Sequence, residues 1–166
     1  QIMAVSYLKK AAKSSATGED DTRATVSQML SAIEAGGEQC CIEYAAQLDG
    51  YHGNIIATSD DIAQATLRLS KQVKDDIRFA HERVNKFAQK QRQALVDFEV
   101  ELSPGLWAGQ RQIPVQTAGC YIPGGRYSHV ASAIMSVATA KAAGVKHVVA
   151  CSPPKPDAGI NDAILY

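Results

Sequence analysis

The chain has 166 residues, enough to bury a sizeable core. Its 17 Lys and Arg balance its 17 Asp and Glu, which removes the electrostatic footprint of a nucleic-acid binder. No apolar run is long enough to span a bilayer and no charged-then-apolar leader opens the sequence, so the expectation is a cytoplasmic enzyme.

The first element is a short apolar piece, Ile2 to Leu8, followed by a polar connection to Asp21. Thr22 then reads as the N-cap of a helix to Ala35, with Val26, Met29, Leu30 and Ile33 on one face and Gly36-Gly37 as the stop. Glu38 to Leu48 predicts a second short helix, closed by Asp49-Gly50. His52 lies in a polar turn with no partner to tune it, which predicts a solvated loop residue.

Thr58 and Asp61 have the spacing of a capping box with Asp in place of Glu, so a helix is expected from about Ser59, turning Ile62, Ala65 and Leu69 inward. From Asp75 to Leu95, Ile77, Ala80, Val84, Phe87 and Ala88 recur at helical spacing opposite a charged face. His81 borders the apolar side and is expected to be a packed, hydrogen-bonded histidine. The basic residues between Arg78 and Arg92 are interrupted by Glu82, which makes them a solvated face.

The period then changes to two. Phe98 to Leu102 alternates as a half-buried strand should, and Ser103-Pro104-Gly105 turns it toward Leu106 and Trp107 as a hairpin or meander. Residues 112–115 predict a further extended piece, with Pro114 marking an edge.

The chemistry is concentrated between Ala118 and Pro154. Cys120, Tyr121 and Ile122 form a short strand that Pro123, Gly124 and Gly125 stop abruptly. Val130, Ile134, Val137 and Ala138 place a helix over 130–143, starting near Tyr127 or Ser128, with Gly144 as its left-handed C-terminal residue and Lys141 at the negative end of its dipole. His147 to Cys151 is a nearly continuous apolar run, expected to be buried on both faces of a parallel sheet.

The result is a βαβ unit whose Gly-rich turn sits where α/β sheets hold anions or nucleotides. Its spacing is not the dinucleotide fingerprint Gly-x-Gly-x-x-Gly, and an ordinary tight turn remains the alternative. Arg126, Ser128 and His129 crowd that edge. Ser152 to Pro156 is a stiff loop at the same end.

The fold class expected is α/β: an N-terminal helical region and a short β hairpin leading into the first βαβ unit of a Rossmann-like parallel sheet. The domains expected are 1–117 and a second, truncated one from 118 to 166. The start at Gln1 and the stop at Tyr166, within a run that reads as a helix from Ile160, suggest an incomplete chain. The four cysteines, Cys40, Cys41, Cys120 and Cys151, contain no Cys-x-x-Cys and are expected to be reduced, with Cys120 and Cys151 in buried strands.

The run CYIPGGR, the helix end AKAAGV, the apolar strand and the Pro-Pro after it resemble the histidinol dehydrogenase family, with its Tyr-x-Pro-Gly-Gly turn and Ala-Lys-x-Ala-Gly-Val helix end. GQRQIPVQTAG and HERVNKFAQKQ extend the resemblance upstream to about Ser59. It implies an NAD-dependent, zinc-requiring enzyme, homodimeric when full length, that oxidises a primary alcohol through an aldehyde to a carboxylate. Histidinol to histidine is the best-known case.

Tyr121 falls at the family tyrosine that contacts the NAD. The acid/base Glu-His pair and the zinc ligands lie in the family's later part, beyond Tyr166, so the resemblance assigns no catalytic and no metal-binding residue here. Where the family usually continues with an Ala-Tyr-Pro-Ser-Ser type run, this chain reads RYSHVASA, then VATAK. That version is similar to the branch oxidising 2,3-dihydroxypropane-1-sulfonate to sulfolactate, for which Arg126, Ser128 and His129 offer sulfonate contacts, while a cofactor phosphate or plain solvent explains Arg126 as well. Three readings stand: a histidinol-type dehydrogenase, a sulfopropanediol dehydrogenase, and a non-catalytic nucleotide-binding or scaffold domain.

Overall fold

A computed structural model describes residues 17–124, 127–156 and 158–166, with the side chains described from residue 20. The apolar piece from Ile2 to Leu8, with Gly125 and Arg126, lies outside the described residues. Two compact units are separated after Glu43, the second running from Tyr44 to Tyr166.

Helix α1 spans Thr17–Asp49 and is broken at Gly37, whose φ of 60° and ψ of −144° leave the helical region. The two helices read from the sequence and the stop between them are therefore present. Their beginning is corrected: Thr22 lies inside the helix, one turn after its start. Val26 and Leu30 are exposed, while Met29 and Ile33 are half-buried.

The second unit is built on local signals. Helix α2, Ser59–Arg68, starts at the capping box: the Thr58 hydroxyl accepts from the Asp61 amide, and the Asp61 carboxylate accepts from the Thr58 amide at 2.7 Å. Ala65 is fully buried, Leu69 half-buried and Ile62 exposed, so the inward face is narrower than its periodicity implies.

Helix α3, Lys71–Ala94, begins a turn earlier than Asp75, because the Ser70 hydroxyl accepts from the Val73 amide and caps it there. Of its apolar stripe Ala88 is buried, whereas Phe87 faces solvent.

Strands β1, Phe98–Ser103, and β2, Leu106–Gln110, form an antiparallel hairpin closed at Pro104-Gly105. Gly105 has φ +82°, the value a turn of this kind demands after its proline. The hairpin was expected to be half-buried, yet every residue of both strands is exposed. Alternation records a potential for burial, and among the described residues no element covers either face enough to bury it. Residues 112–115, expected to be extended, join no sheet.

Strands β3, Thr117–Tyr121, and β4, His147–Cys151, pair in parallel, with Gly119 opposite Val149 and Tyr121 opposite Cys151. The crossover helix joining them comprises α4, Val130–Ala133, a π-helical turn, Ile134–Ala138, and α5, Thr139–Ala142. It starts near Ser128, as expected, with His129 as its N-cap residue. Gly144, at φ +93°, ends it as its position predicted.

The short helix α6, Asp162–Leu165, closes the chain. The fold is thus mixed helix and strand around a parallel pair. Ile122, Cys120, Ala138 and Val145 form the core on the helix side of that pair. Burying Ile122, 1% exposed, is worth about 1.5–3 kcal/mol.

The opposite face of the pair carries Tyr121, Val149 and Cys151, all exposed. Two expectations are corrected by this: β4 is covered on one face rather than both, and Cys151 is solvent-facing. A second helical layer would be needed to bury that face, and none of the described elements supplies it.

Candidate dinucleotide-binding edge

The sheet ladder runs one residue past β3, where the Ile122 amide donates to the Cys151 carbonyl at 2.8 Å, and Pro123 then stops it for want of an N–H. Ile122 anchors the strand end inward. Tyr121, on the alternate face, is 64% exposed at the carboxyl rim of the sheet.

Gly124 follows, pressed against the segment after β4. A Cβ there would stand 3.1 Å from the Pro153 carbonyl oxygen and 3.1 Å from the Ser152 hydroxyl, so glycine is what lets the two loops meet. Beyond it Tyr127, Ser128 and His129 are exposed. The His129 carbonyl accepts from the amides of Ser132 and Ala133 at 2.9 and 3.3 Å, and no side chain caps the helix start.

This edge brings together an exposed phenol ring, a glycine turn and the start of the crossover helix. An aromatic face with a polar tip suits a nucleotide, apolar on its ring and hydrogen-bonding at its ends. The residues therefore fit a dinucleotide along the rim. They do not fit zinc: among the described residues no group of three or more His, Cys, Asp or Glu side chains is disposed to hold a metal ion.

The histidines are not brought together. His52 is in an exposed loop, His129 stands just before the crossover helix and His147 begins β4. His81 is corrected from a packed core position: it is exposed and lines a cleft of about 730 Å³ between α3, the crossover helix and α6. The cleft has Ile122, Ile134, Val137 and Ala150 among its apolar lining, with Arg78 and Lys141 among its charged groups. The Arg78 guanidinium lies 5.7 Å from the Tyr166 ring centroid, within reach of a cation–π contact.

One contact had no signature in the sequence. Arg68, at the end of α2, donates from Nε and Nη2 to the two carboxylate oxygens of Asp162, at 2.9 and 2.6 Å. The hydrogen bond from Arg68 holds the Asp162 carboxyl below its ordinary value, and Asp162 in turn raises Arg68. The pair is 94 positions apart, so no local pattern announces it.

The histidinol dehydrogenase family model matches residues 12–166. The chain belongs to the histidinol dehydrogenase family.

Among its family relatives, a sulfopropanediol 3-dehydrogenase of Ruegeria pomeroyi is 51% identical over 99% of this chain and 38% of its own length. A histidinol dehydrogenase homolog of Pelagibacter ubique is 52% identical over 99% of the chain and 39% of its length. The histidinol dehydrogenase of Methanosarcina barkeri is 32% identical over 90% and 34%. The crystal structure of histidinol dehydrogenase from Elizabethkingia anophelis superposes with a TM-score of 0.78 at 25% identity, over 96% of this chain and 35% of that one. The chain thus spans about 38% of the length of the Ruegeria relative.

Proposed function

We propose that this chain is the dinucleotide-facing part of an NAD-dependent, zinc-requiring dehydrogenase that oxidises a primary alcohol through an aldehyde to a carboxylate. In this reading residues 118–166 open a Rossmann-like NAD-binding domain and 1–117 belong to the domain before it, the full protein being a cytoplasmic homodimer. The observation that supports it is the exposed Tyr121 at the carboxyl rim of a parallel pair, beside a glycine turn, in a member of a dehydrogenase family.

Each oxidation removes a hydride and a proton from the alcohol carbon and its oxygen, and water adds before the second. NAD, when bound, supplies the hydride acceptor. The part of this chain would be to bind and orient: Tyr121 would contact the nucleotide, Gly124 would leave room for backbone approach, and the Ser152–Pro153 segment, close against Gly124, would border the edge. Zinc would be held by residues outside this chain, and none of these roles passes through it.

For the substrate, the 51% identity to the sulfopropanediol 3-dehydrogenase, against 32% to the Methanosarcina histidinol dehydrogenase, supports 2,3-dihydroxypropane-1-sulfonate. A second reading, L-histidinol, is supported by the histidinol dehydrogenase relative and structure. The full-length protein is assayed for NADH formation with each alcohol. NADH from the sulfonated diol is the expected result, turnover of histidinol alone favours the second reading, and activity on neither overturns both.

A further inference from the structure

We propose that Arg68 is a positioning residue: through Asp162 it holds the segment after β4 against the Gly124 turn and so fixes the wall of the dinucleotide edge. The inference rests on the function proposed above, since the wall matters only if a cofactor lies along it.

The segment between Asp162 and Pro153 is tied at several points. Asp162 is the first residue of α6, gripped in two places by the Arg68 guanidinium. A planar fork on a carboxylate fixes orientation as well as distance, which a lysine at this position would not do. Immediately before it, Asn161 caps the helix, its side-chain oxygen accepting from the Ala163 amide at 3.0 Å and its carbonyl from Ile164 at 2.9 Å.

Gly159, two residues before Asn161, is tied to Lys155 by reciprocal amide-to-carbonyl bonds of 2.9 Å each. The Tyr51 ring backs this turn: a Cβ on Gly159 would lie 3.5 Å from the Tyr51 hydroxyl, which itself donates to the Asn54 carbonyl at 3.1 Å. Lys155 is two residues from Pro153, whose carbonyl oxygen closes on Gly124. The segment is therefore tied at Asp162, Asn161, Gly159 and Lys155, and a displacement at Asp162 shifts these ties toward Pro153 at the rim.

The alternative is that Arg68 and Asp162 form only a surface ion pair with no bearing on the edge. Three measurements on the full-length protein separate the two: steady-state kinetics, amide exchange of peptides covering 152–161, and rescue by the reciprocal swap. In Arg68→Gln, and independently in Asp162→Asn, KM for NAD is expected to rise about fivefold with kcat and the alcohol KM held within about twofold. Exchange in 152–161 quickens, and Arg68→Asp combined with Asp162→Arg recovers at least part of both effects.

An unmoved NAD KM in both variants, or unchanged exchange in 152–161, overturns the proposal even if the melting temperature falls. Failure of the unaltered protein to reduce NAD with either alcohol counts instead against the proposed function. Normal NAD reduction with insensitive variants counts against Arg68 alone.

Discussion

Tyr121 and Gly124 sit three positions apart and face opposite demands. The tyrosine is 64% exposed, so its side chain contributes little to the core. Tyr121→Ala is expected to leave the melting temperature within a degree or so while raising KM for NAD about tenfold, through loss of an aromatic contact. Thermal unfolding and NAD titration of the full-length protein check both halves.

Gly124→Ala has the reverse signature. Its Cβ meets a backbone carbonyl at 3.1 Å, which must give by a few tenths of an ångström, and stability is expected to fall by about 1 kcal/mol, read in urea unfolding. Tyr121 was marked out in the sequence by the family resemblance, and its outward placement opposite a buried Ile122 is the structure's own. The tight approach of Gly124 to Pro153 was not legible, because it joins positions far apart in the chain. Cys151 and His81 were misjudged for a related reason: an apolar neighbourhood in sequence specifies a face, and whether that face is covered depends on elements elsewhere.

Among the elements, those with local stop and start chemistry were the most legible. The capping box at Thr58, the glycine that ends the crossover helix and the Pro-Gly hairpin each need only residues within one turn of each other. Thr58→Ala removes the hydroxyl that accepts from Asp61 and is expected to cost about 1 kcal/mol, measurable by chemical denaturation.

Asp61 also gives α2 a pH signature. The Thr58 amide first, and then its hydroxyl, hold the Asp61 carboxyl below the ordinary 3.8, while the lowering of Asp162 comes first from Arg68. A carboxylate with a depressed folded value adds stability above its unfolded value and loses it as pH falls through the folded one. Melting temperature should therefore hold down to about pH 4 and decline below it. Asp61→Asn should flatten the upper part of that decline, and a scan of melting temperature against pH tests it.

The π-helical turn had no such signal. Val130, Ile134, Val137 and Ala138 fit an ordinary α-helix, and all four still line the cleft, yet the hydrogen bonding between them is wider. The Ser136 hydroxyl donates to the Ser132 carbonyl at 2.7 Å and the Thr139 hydroxyl to that of Met135, which satisfies acceptors along this wound-out stretch. α3 packs directly on it, and packing between helices is a matter periodicity in one helix does not record.

Across the whole chain, the order of helices, hairpin and parallel βαβ unit was readable because the hydrophobic period changes from element to element, at the hairpin, after β3 and before β4 with a Gly or Pro at the change. The layers over the sheet were not readable, since they depend on what else packs there. The same limit governs activity. The described residues contain no set of donors for a metal, and the proposed chemistry needs groups outside this chain. The 166-residue chain by itself is expected to form no NADH with either alcohol, whereas the full-length protein does; measurable turnover by the shorter chain would relocate the reaction into it.

The parallel pair has one further physical effect. Among the described residues β3 and β4 pair only with each other, so the outer edge of each is open there, next to the exposed Val149 and Cys151 side chains. Such a border is a template for adding another strand. Produced alone, the chain should self-associate with rising concentration, a tendency visible in light scattering and diminished by a lysine in place of Val149.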